Sequence, residues 1–314
     1  MLPIARLLLD AGANPTDGES LHHSAERFHE DALELLLEAG ADLNAKGDWE
    51  NTPLYFLIRW YHLERHETTK RGVVWLLEHG ADPNVRCGRE NETALHLAAR
   101  LGQKPFVIRL LLDHGADVRA GRGDGLTAWH LAARGGFDDV ASVLEDAGAP
   151  PEPLTPADAL LAACGRGDAD AARALSSPEL IGSLSADDRA LAVFAAATER
   201  DATVVACLAA GFPVDALDPG GATALHYAAL RGRSDLVRAL LDAGADYNIV
   251  DKEHSSGPLG WACWAAEFKR DPAGDYAGTV RALARAGARL IDNGWLPESP
   301  DVRAELERVG RARG

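Results

Sequence analysis

The chain has 314 residues, 46% of them hydrophobic and 25% charged, with 16 prolines, the balance of a folded chain rather than a disordered one. At that length it exceeds the ~250–300 residues at which a single hydrophobic core stops growing, so it is either several domains or an array of repeats. Its formal charge of -16 repels nucleic acid and anionic membranes alike, so neither is expected as a partner, and charged residues recur too often for a membrane span.

Read in chain order, MLPIARLLLDAGANP opens with a short apolar run that Asp10 interrupts. No basic region precedes it, so it does not read as a secretion signal. Glycine followed by alanine then closes apolar runs at Gly12, Gly40, Gly80, Gly115, Gly148, Gly244 and Gly287, with Gly211 before Phe212 as a variant. The spacings are 28, 40, 35, 33, 63, 33 and 43 residues. The value of 63 is about twice 33, which hides one diverged unit and makes the chain an array with a period near 33.

Each unit reads as a helix pair and a turn. In TALHLAARLG (Thr93 onward) and TALHYAALRG (Thr223 onward) the threonine is a helix N-cap; in TPLYFLIRW (Thr52 onward) the proline is pre-shaped for the first helical turn. Leu95, Ala98 and Ala99 share one face, and the small alanines allow close approach of a neighbouring helix. A second helix follows, as in PFVIRLLLDHG and SDLVRALLDAG, ending at a glycine suited to the left-handed conformation that terminates helices. Asp, Asn and Gly then supply a tight turn, as in ADLNAKGDWEN. No unit can bury its apolar face alone, so the units must stack.

TALH, AAR-x-G, the L-L-L run, G-A-D and the following Asn resemble ankyrin repeats over almost the whole chain. The resemblance implies an all-α solenoid of about eight helix pairs with short hairpin loops. The units fall at about 16–46, 47–86, 87–120, 121–154, 155–184, 185–217, 218–250 and 251–291. Residues 1–15 read as an incomplete leading repeat or cap helix, 16–154 as repeats 1 to 4, 155–217 as diverged repeats 5 and 6, 218–291 as repeats 7 and 8, and 292–314 as a C-terminal cap helix. Two departures stand out. Units 5 and 6 lack the T-x-L-H start. Units 2 and 8 carry extra residues, within WYHLERHETTKRG and WAAEFKRDPAGDYAG, which should lengthen or displace the loop between paired helices.

Little chemistry is visible. His22, His96, His130 and His226 occupy one place in their units, and the resemblance makes them hydrogen-bond staples between hairpin and helix. In HLERH, His62 and His66 stand one turn apart and could share a zinc ion with Glu67, but Glu64 does not sit where a protease motif needs it and no further ligand is fixed by spacing. There is no G-x-S-x-G elbow or phosphate loop, and Cys87, Cys164, Cys207 and Cys263 form no C-x-x-C pair. The cysteines read as buried free thiols. No catalytic residue, metal or cofactor is expected.

Binding residues are easier to nominate. Arg100 and Arg134 close first helices, Arg231 lies just before the glycine of its unit, and Arg27, Arg59 and Arg166 occupy equivalent regions. In the resembled fold these ends line the concave side, where a basic stripe could hold an acidic partner segment, although arginine also suits a helix C-terminus for its own sake. Trp49 falls in a hairpin tip, Tyr55 replaces the usual His, Trp60 follows, and Trp264 lies in an aromatic cluster with Trp261 and Phe268. Trp129 and Trp75 take Leu-like core positions. The expected function is a cytoplasmic, non-enzymatic adaptor that binds a partner protein through Trp49, Tyr55, Arg59, Trp60, Arg100, Arg134, Arg231 and Trp264. The alternative is an enzyme or small-ligand protein with a cleft formed by the insertions in repeats 2 and 8. Oligomeric state is left open.

Overall fold

The computed structural model describes residues 2–47, 49–59, 67–269, 271–289 and 297–311. All of the named elements are helices; extended pairing is confined, among the described residues, to isolated bridges between Cys87 and Glu92 and between Gly121 and Thr127. The chain divides into two compact units, Met1–Leu154 and Thr155–Gly314.

The first unit begins with α1 (Leu2–Asp10) and continues as four pairs: α2 (Ser20–Glu26) with α3 (Glu30–Glu38), α4 (Pro53–Ile58) with α5 (Glu67–Glu78), α6 (Ala94–Arg100) with α7 (Pro105–Asp113), and α8 (Ala128–Arg134) with α9 (Asp138–Asp146). First helices pack on first helices (α2, α4, α6, α8 in turn), and α7 packs on α9 in a second layer. The alanines permit this closeness: Ala25, Ala98, Ala99 and Ala132 are all fully buried. Between the layers lie Leu33, Leu57, Leu76, Leu95, Ile108 and Leu111, each with no exposed surface; truncating one to Ala in such a core costs about 2–5 kcal/mol. Helix α1 packs on α3 but has no first helix paired with it among the described residues, and Ile4, Leu7 and Leu8 remain exposed.

The second unit holds α10 (Pro156–Arg166) with α11 (Ala169–Leu175), two short helices α12 (Pro178–Ser183) and α13 (Ala186–Arg189), then α14 (Leu191–Ala197) with α15 (Asp201–Ala210), α16 (Ala224–Leu230) with α17 (Ser234–Asp242), and α18 (Pro258–Phe268) with α19 (Tyr276–Ala286). Helix α20 (Pro300–Arg311) closes the unit against α19, where Arg281 donates to Glu305 at 2.6 Å. Among the described residues the two units together contain eight helix pairs, as expected.

Three devices repeat. The glycines that end second helices, from Gly12 to Gly287, all take positive φ, between 82° and 123°, a region costly to residues with a Cβ. The Asp of G-A-D then links units: the Asp82 amide donates to Asn44 Oδ1 at 2.7 Å and the Asp117 amide to Asn84 Oδ1 at 2.8 Å, while Asp246 donates to Asp215 at 2.9 Å. Finally, threonine caps first helices and the following His braces the cap. Thr93 Oγ1 lies 2.7 Å from His96 Nδ1, and Thr223 Oγ1 lies 2.9 Å from His226 Nδ1.

Unit 5 keeps that third device with different residues. Thr155 caps α10, and Asp158 takes the place of the His, accepting from Thr155 Oγ1 at 2.6 Å and from its amide at 3.3 Å. A short polar side chain three residues on from the cap can satisfy the same two donors. Unit 6 does lack the device: Ala190 stands at the N-cap of α14 and offers no side-chain cap, and the turn before it is replaced by α12 and α13, capped by Ser177 and Ser185. The extra residues of unit 8 lengthen helices as well as the turn, since α18 has 11 residues against 7 in α6. Those of unit 2 lie partly at 60–66, outside the described residues.

Candidate functional site

In the first unit the nominated residues divide between an exposed aromatic group and a buried ionic one. Trp49 is 58% exposed, its ring stacked on Phe56 with centroids 6.1 Å apart and planes 16° apart. Phe56 is buried and also meets His22 and His23 edge-on at 5.3 and 6.1 Å, while the Arg59 guanidinium sits over it at 5.3 Å. Trp49 thus extends a buried aromatic stack into solvent. His23, exposed on α2, lies 3.2 Å from both Glu19 and Glu26.

The ionic group centres on Glu92, which is 2% exposed. Arg100 donates to it through Nη2 at 2.7 Å and Nε at 3.2 Å, Tyr55 donates its hydroxyl at 2.7 Å, and Arg122 stands 3.6 Å away while forming a two-bond fork with Asp124. Burial pushes the Glu92 carboxyl up, but Arg100, Tyr55 and Arg122 outweigh it and hold it below the ordinary Glu value. Burial, reinforced by the neighbouring Glu92, raises the Tyr55 hydroxyl. Tyr55 and Arg100 therefore already serve an internal carboxylate. Glu92 itself went unnominated, because nothing in ENETALH marks that Glu as buried rather than solvated.

In the second unit Arg231 is committed in the same way, donating to the Ala197 carbonyl and pairing with Glu199. Arg134 ends α8 half-buried. Trp264 differs: it is 45% exposed and leans on Phe268, 60% exposed, with centroids 5.6 Å apart. It stands where α4, α6 and α8 carry Arg59, Arg100 and Arg134, seven residues after the cap position. Trp261, one turn earlier, meets His226, Tyr227 and His254 edge-on and donates to Asp251 at 3.0 Å. Asp251 also accepts from the His254 and Ser256 amides, and these bonds overcome its burial to bring its carboxyl down to about 2. The exposed apolar side chains Leu217 and Val250 lie on hairpins of the same unit.

Trp60, His62 and His66 lie outside the described residues. Glu67, the third ligand in the zinc reading, opens α5 and lies 3.7 Å from Lys70. Among the described residues no group of three or more His, Cys, Asp or Glu side chains could hold a metal, and no helix is long and apolar enough to cross a membrane. Trp75 and Trp129 are buried, as their Leu-like positions predict. Two of the four repeated histidines bridge to the next hairpin: His22 Nε2 lies 3.2 Å from the Asn51 carbonyl and His226 Nε2 lies 3.2 Å from that of Ser256.

The sequence is similar to those of several known proteins. The chain is 33% identical over 148 residues to the nuclear factor NF-kappa-B p105 subunit of Gallus gallus, covering 46% of this chain and 15% of that protein. It is 34% identical over 113 residues to ankyrin repeat and SOCS box protein 11 of Danio rerio (36% and 35%), and 32% identical over 202 residues to the probable E3 ubiquitin-protein ligase XBOS33 of Oryza sativa subsp. japonica (64% and 33%). The chain thus spans about a third or less of the length of these relatives. Among solved structures it resembles the ankyrin repeat domain of Bcl-3, with 25% identity, 78% of this chain and 94% of that chain covered, and a TM-score of 0.39. Family models of ankyrin repeats match residues 21–66, 63–153 and 159–251, well over half of the chain, and with the helix pairs, braced caps and glycine-terminated second helices described above, the chain belongs to the ankyrin repeat family.

Proposed function

We propose that this chain is a non-catalytic cytoplasmic scaffold that binds a partner protein on its hairpin tips and first-helix faces. The observation that carries the reading is the exposure of large aromatic side chains at places where the repeat core does not require them: Trp49 on a hairpin, and Trp264 with Phe268 on α18. Trp and Tyr concentrate binding energy at interfaces because they remove large apolar areas from water at low entropic cost. Trp49 is moreover pre-positioned by its stack on Phe56, which lowers the cost of ordering it on binding. Arginine contributes less in this reading. Arg100 and Arg231 already pair with Glu92 and Glu199, so an acidic partner segment would have to share them, whereas Arg59 rests, among the described residues, on the Phe56 ring. Relatives named as an NF-kappa-B subunit and a SOCS box protein are compatible with an interaction role.

The test is selection of peptides on the immobilised full chain, followed by titration of the enriched sequences against wild type, Trp49→Ala and Trp264→Ala/Phe268→Ala. The expected result is a loss of affinity of about tenfold or more in one of the two variants, with unfolding curves unchanged. Equal affinity for all three chains would remove the aromatic surface from consideration.

A further inference from the structure

The first helices of the second unit carry a different surface from those of the first. Seven residues after the cap, α4, α6 and α8 place Arg59, Arg100 and Arg134. At the same position α10, α14, α16 and α18 place Ala162, Ala197, Leu230 and Trp264, so the arginine is replaced throughout by an apolar side chain. The first unit also supplies cations to its own aromatics: Arg59 lies over Phe56 at 5.3 Å, Lys70 over Phe106 at 5.4 Å and Arg71 over Phe28 at 4.0 Å. Among the described residues no lysine or arginine stands over Trp261, Trp264 or Phe268.

Carboxylates accompany these rings instead. Tyr227 donates its hydroxyl to Asp218 at 2.7 Å and Trp261 its indole N–H to Asp251 at 3.0 Å, so the polar edges of both rings end on negative charge. One turn beyond Trp264, Glu267 accepts the Glu298 amide at 3.1 Å, which brings the exposed Glu298 to the same end of α18. Lys269, at the C-cap of α18, adds a positive charge there, and Arg270 lies outside the described residues. The face of an aromatic ring is electron-rich, and carboxylates at its rim deepen the negative potential. The guest that gains most is a cation carried on an apolar stem.

We propose, on the reading that Trp264 and Phe268 form a binding surface, that this face takes an arginine-bearing apolar segment of a partner protein, with its guanidinium stacked on Trp264 beside Glu267. Arginine suits the place better than lysine because its planar, weakly hydrated head can stack on the indole while donating to a carboxylate. Aliphatic side chains flanking it would cover Phe268. The arginines at the equivalent position of α4, α6 and α8 repel the same guest, which confines the segment to the second unit. The chain's formal charge of -16 steers a basic segment inward and makes its binding sensitive to salt.

The experiment measures retention on the immobilised full chain of three pools of labelled octapeptides, randomised over Leu, Val, Tyr and Ser, with arginine, citrulline or glutamate fixed at the fourth residue. Citrulline keeps the planar shape of arginine and lacks its charge. The arginine pool should be retained about three- to tenfold over the citrulline pool, with glutamate last and the preference shrinking as salt is raised. Trp264→Arg installs the residue that three other first helices already carry, so it should fold; it should reverse the order and bring glutamate to the front. Trp49→Ala should leave the order unchanged. Equal retention of the arginine and citrulline pools rules out the cation site, and if Trp264→Ala/Phe268→Ala then loses both, the aromatic surface itself still stands. An arginine preference that survives Trp264→Arg also rules the site out, because the cation would be held elsewhere. Retention of none of the pools overturns the cation site and counts against the aromatic surface as well.

Discussion

Replacing Arg100 by Ala removes two charge-assisted hydrogen bonds from a carboxylate that is 2% exposed, leaving Glu92 with the Tyr55 hydroxyl at 2.7 Å and Arg122 at 3.6 Å. Breaking a buried pair from one side costs about 3–5 kcal/mol when the remaining charge has no other partner. Here two partners remain and the Arg100 side chain is 40% exposed, so the expected cost is lower, about 2 kcal/mol. Arg59→Ala, at the same repeat position, loses a contact with the Phe56 ring, the interaction Arg59 makes among the described residues, and should cost about 0.5–1 kcal/mol. Urea unfolding of the full chain, followed by hydrogen exchange at the amides of α6, measures both; exchange is needed because long repeat arrays can depart from two-state behaviour. Glu92→Gln supplies the third corner of a double-mutant cycle with Arg100→Ala, and the pair should couple by at least about 1 kcal/mol. If Arg100→Ala and Arg59→Ala were equally mild, Arg100 would not be holding Glu92, and a free basic stripe would again be the better description of these residues.

Three further outcomes are expected. Burial depresses the imidazoles of His22, His96 and His226 below their ordinary 6.5. Their contribution is therefore complete above about pH 6.5 and is lost as pH falls through the folded values, so urea midpoints should decline in mild acid, and less steeply in His96→Asn. Gly72→Ala should destabilise by about 1–3 kcal/mol in thermal unfolding, because the new Cβ would stand 2.0 Å from the Ala25 carbonyl oxygen; Gly182→Ala, in open space on α12, should be neutral or stabilise by about 0.5–1 kcal/mol. Asp158→Ala should cost about 1 kcal/mol by removing the brace on Thr155, and a loss too small to measure would mean that α10 does not need its cap.

Local features were legible because they depend on neighbours in the chain. A threonine before an alanine-rich run, a proline at the first turn and a glycine after the last leucine each act within a few residues, and the period near 33 follows from their recurrence. The same logic placed Trp75 and Trp129 in the core and left Trp49 outside it. It missed the brace in unit 5, where Asp replaces His, because the pattern was read by residue name rather than by what the side chain accepts. It also missed α12 and α13, whose Ser-capped starts are visible in SSPEL and SADD but fall where a hairpin was expected.

What the sequence by itself determined was therefore the architecture: all-α, repeated, with helix ends set by caps and glycines and a core of small and branched apolar residues that only stacking can bury. The tertiary structure alone decided which charges and aromatics are free to bind. Arg59 and Arg100 hold the same repeat position, yet one rests on an aromatic ring and the other on a buried carboxylate contributed by its own hairpin. Tyr55 and Glu92 are 37 positions apart in the chain and meet only because neighbouring repeats stack. Burial and pairing across such distances depend on how units stack, and the local spacing of residue types carries no record of it.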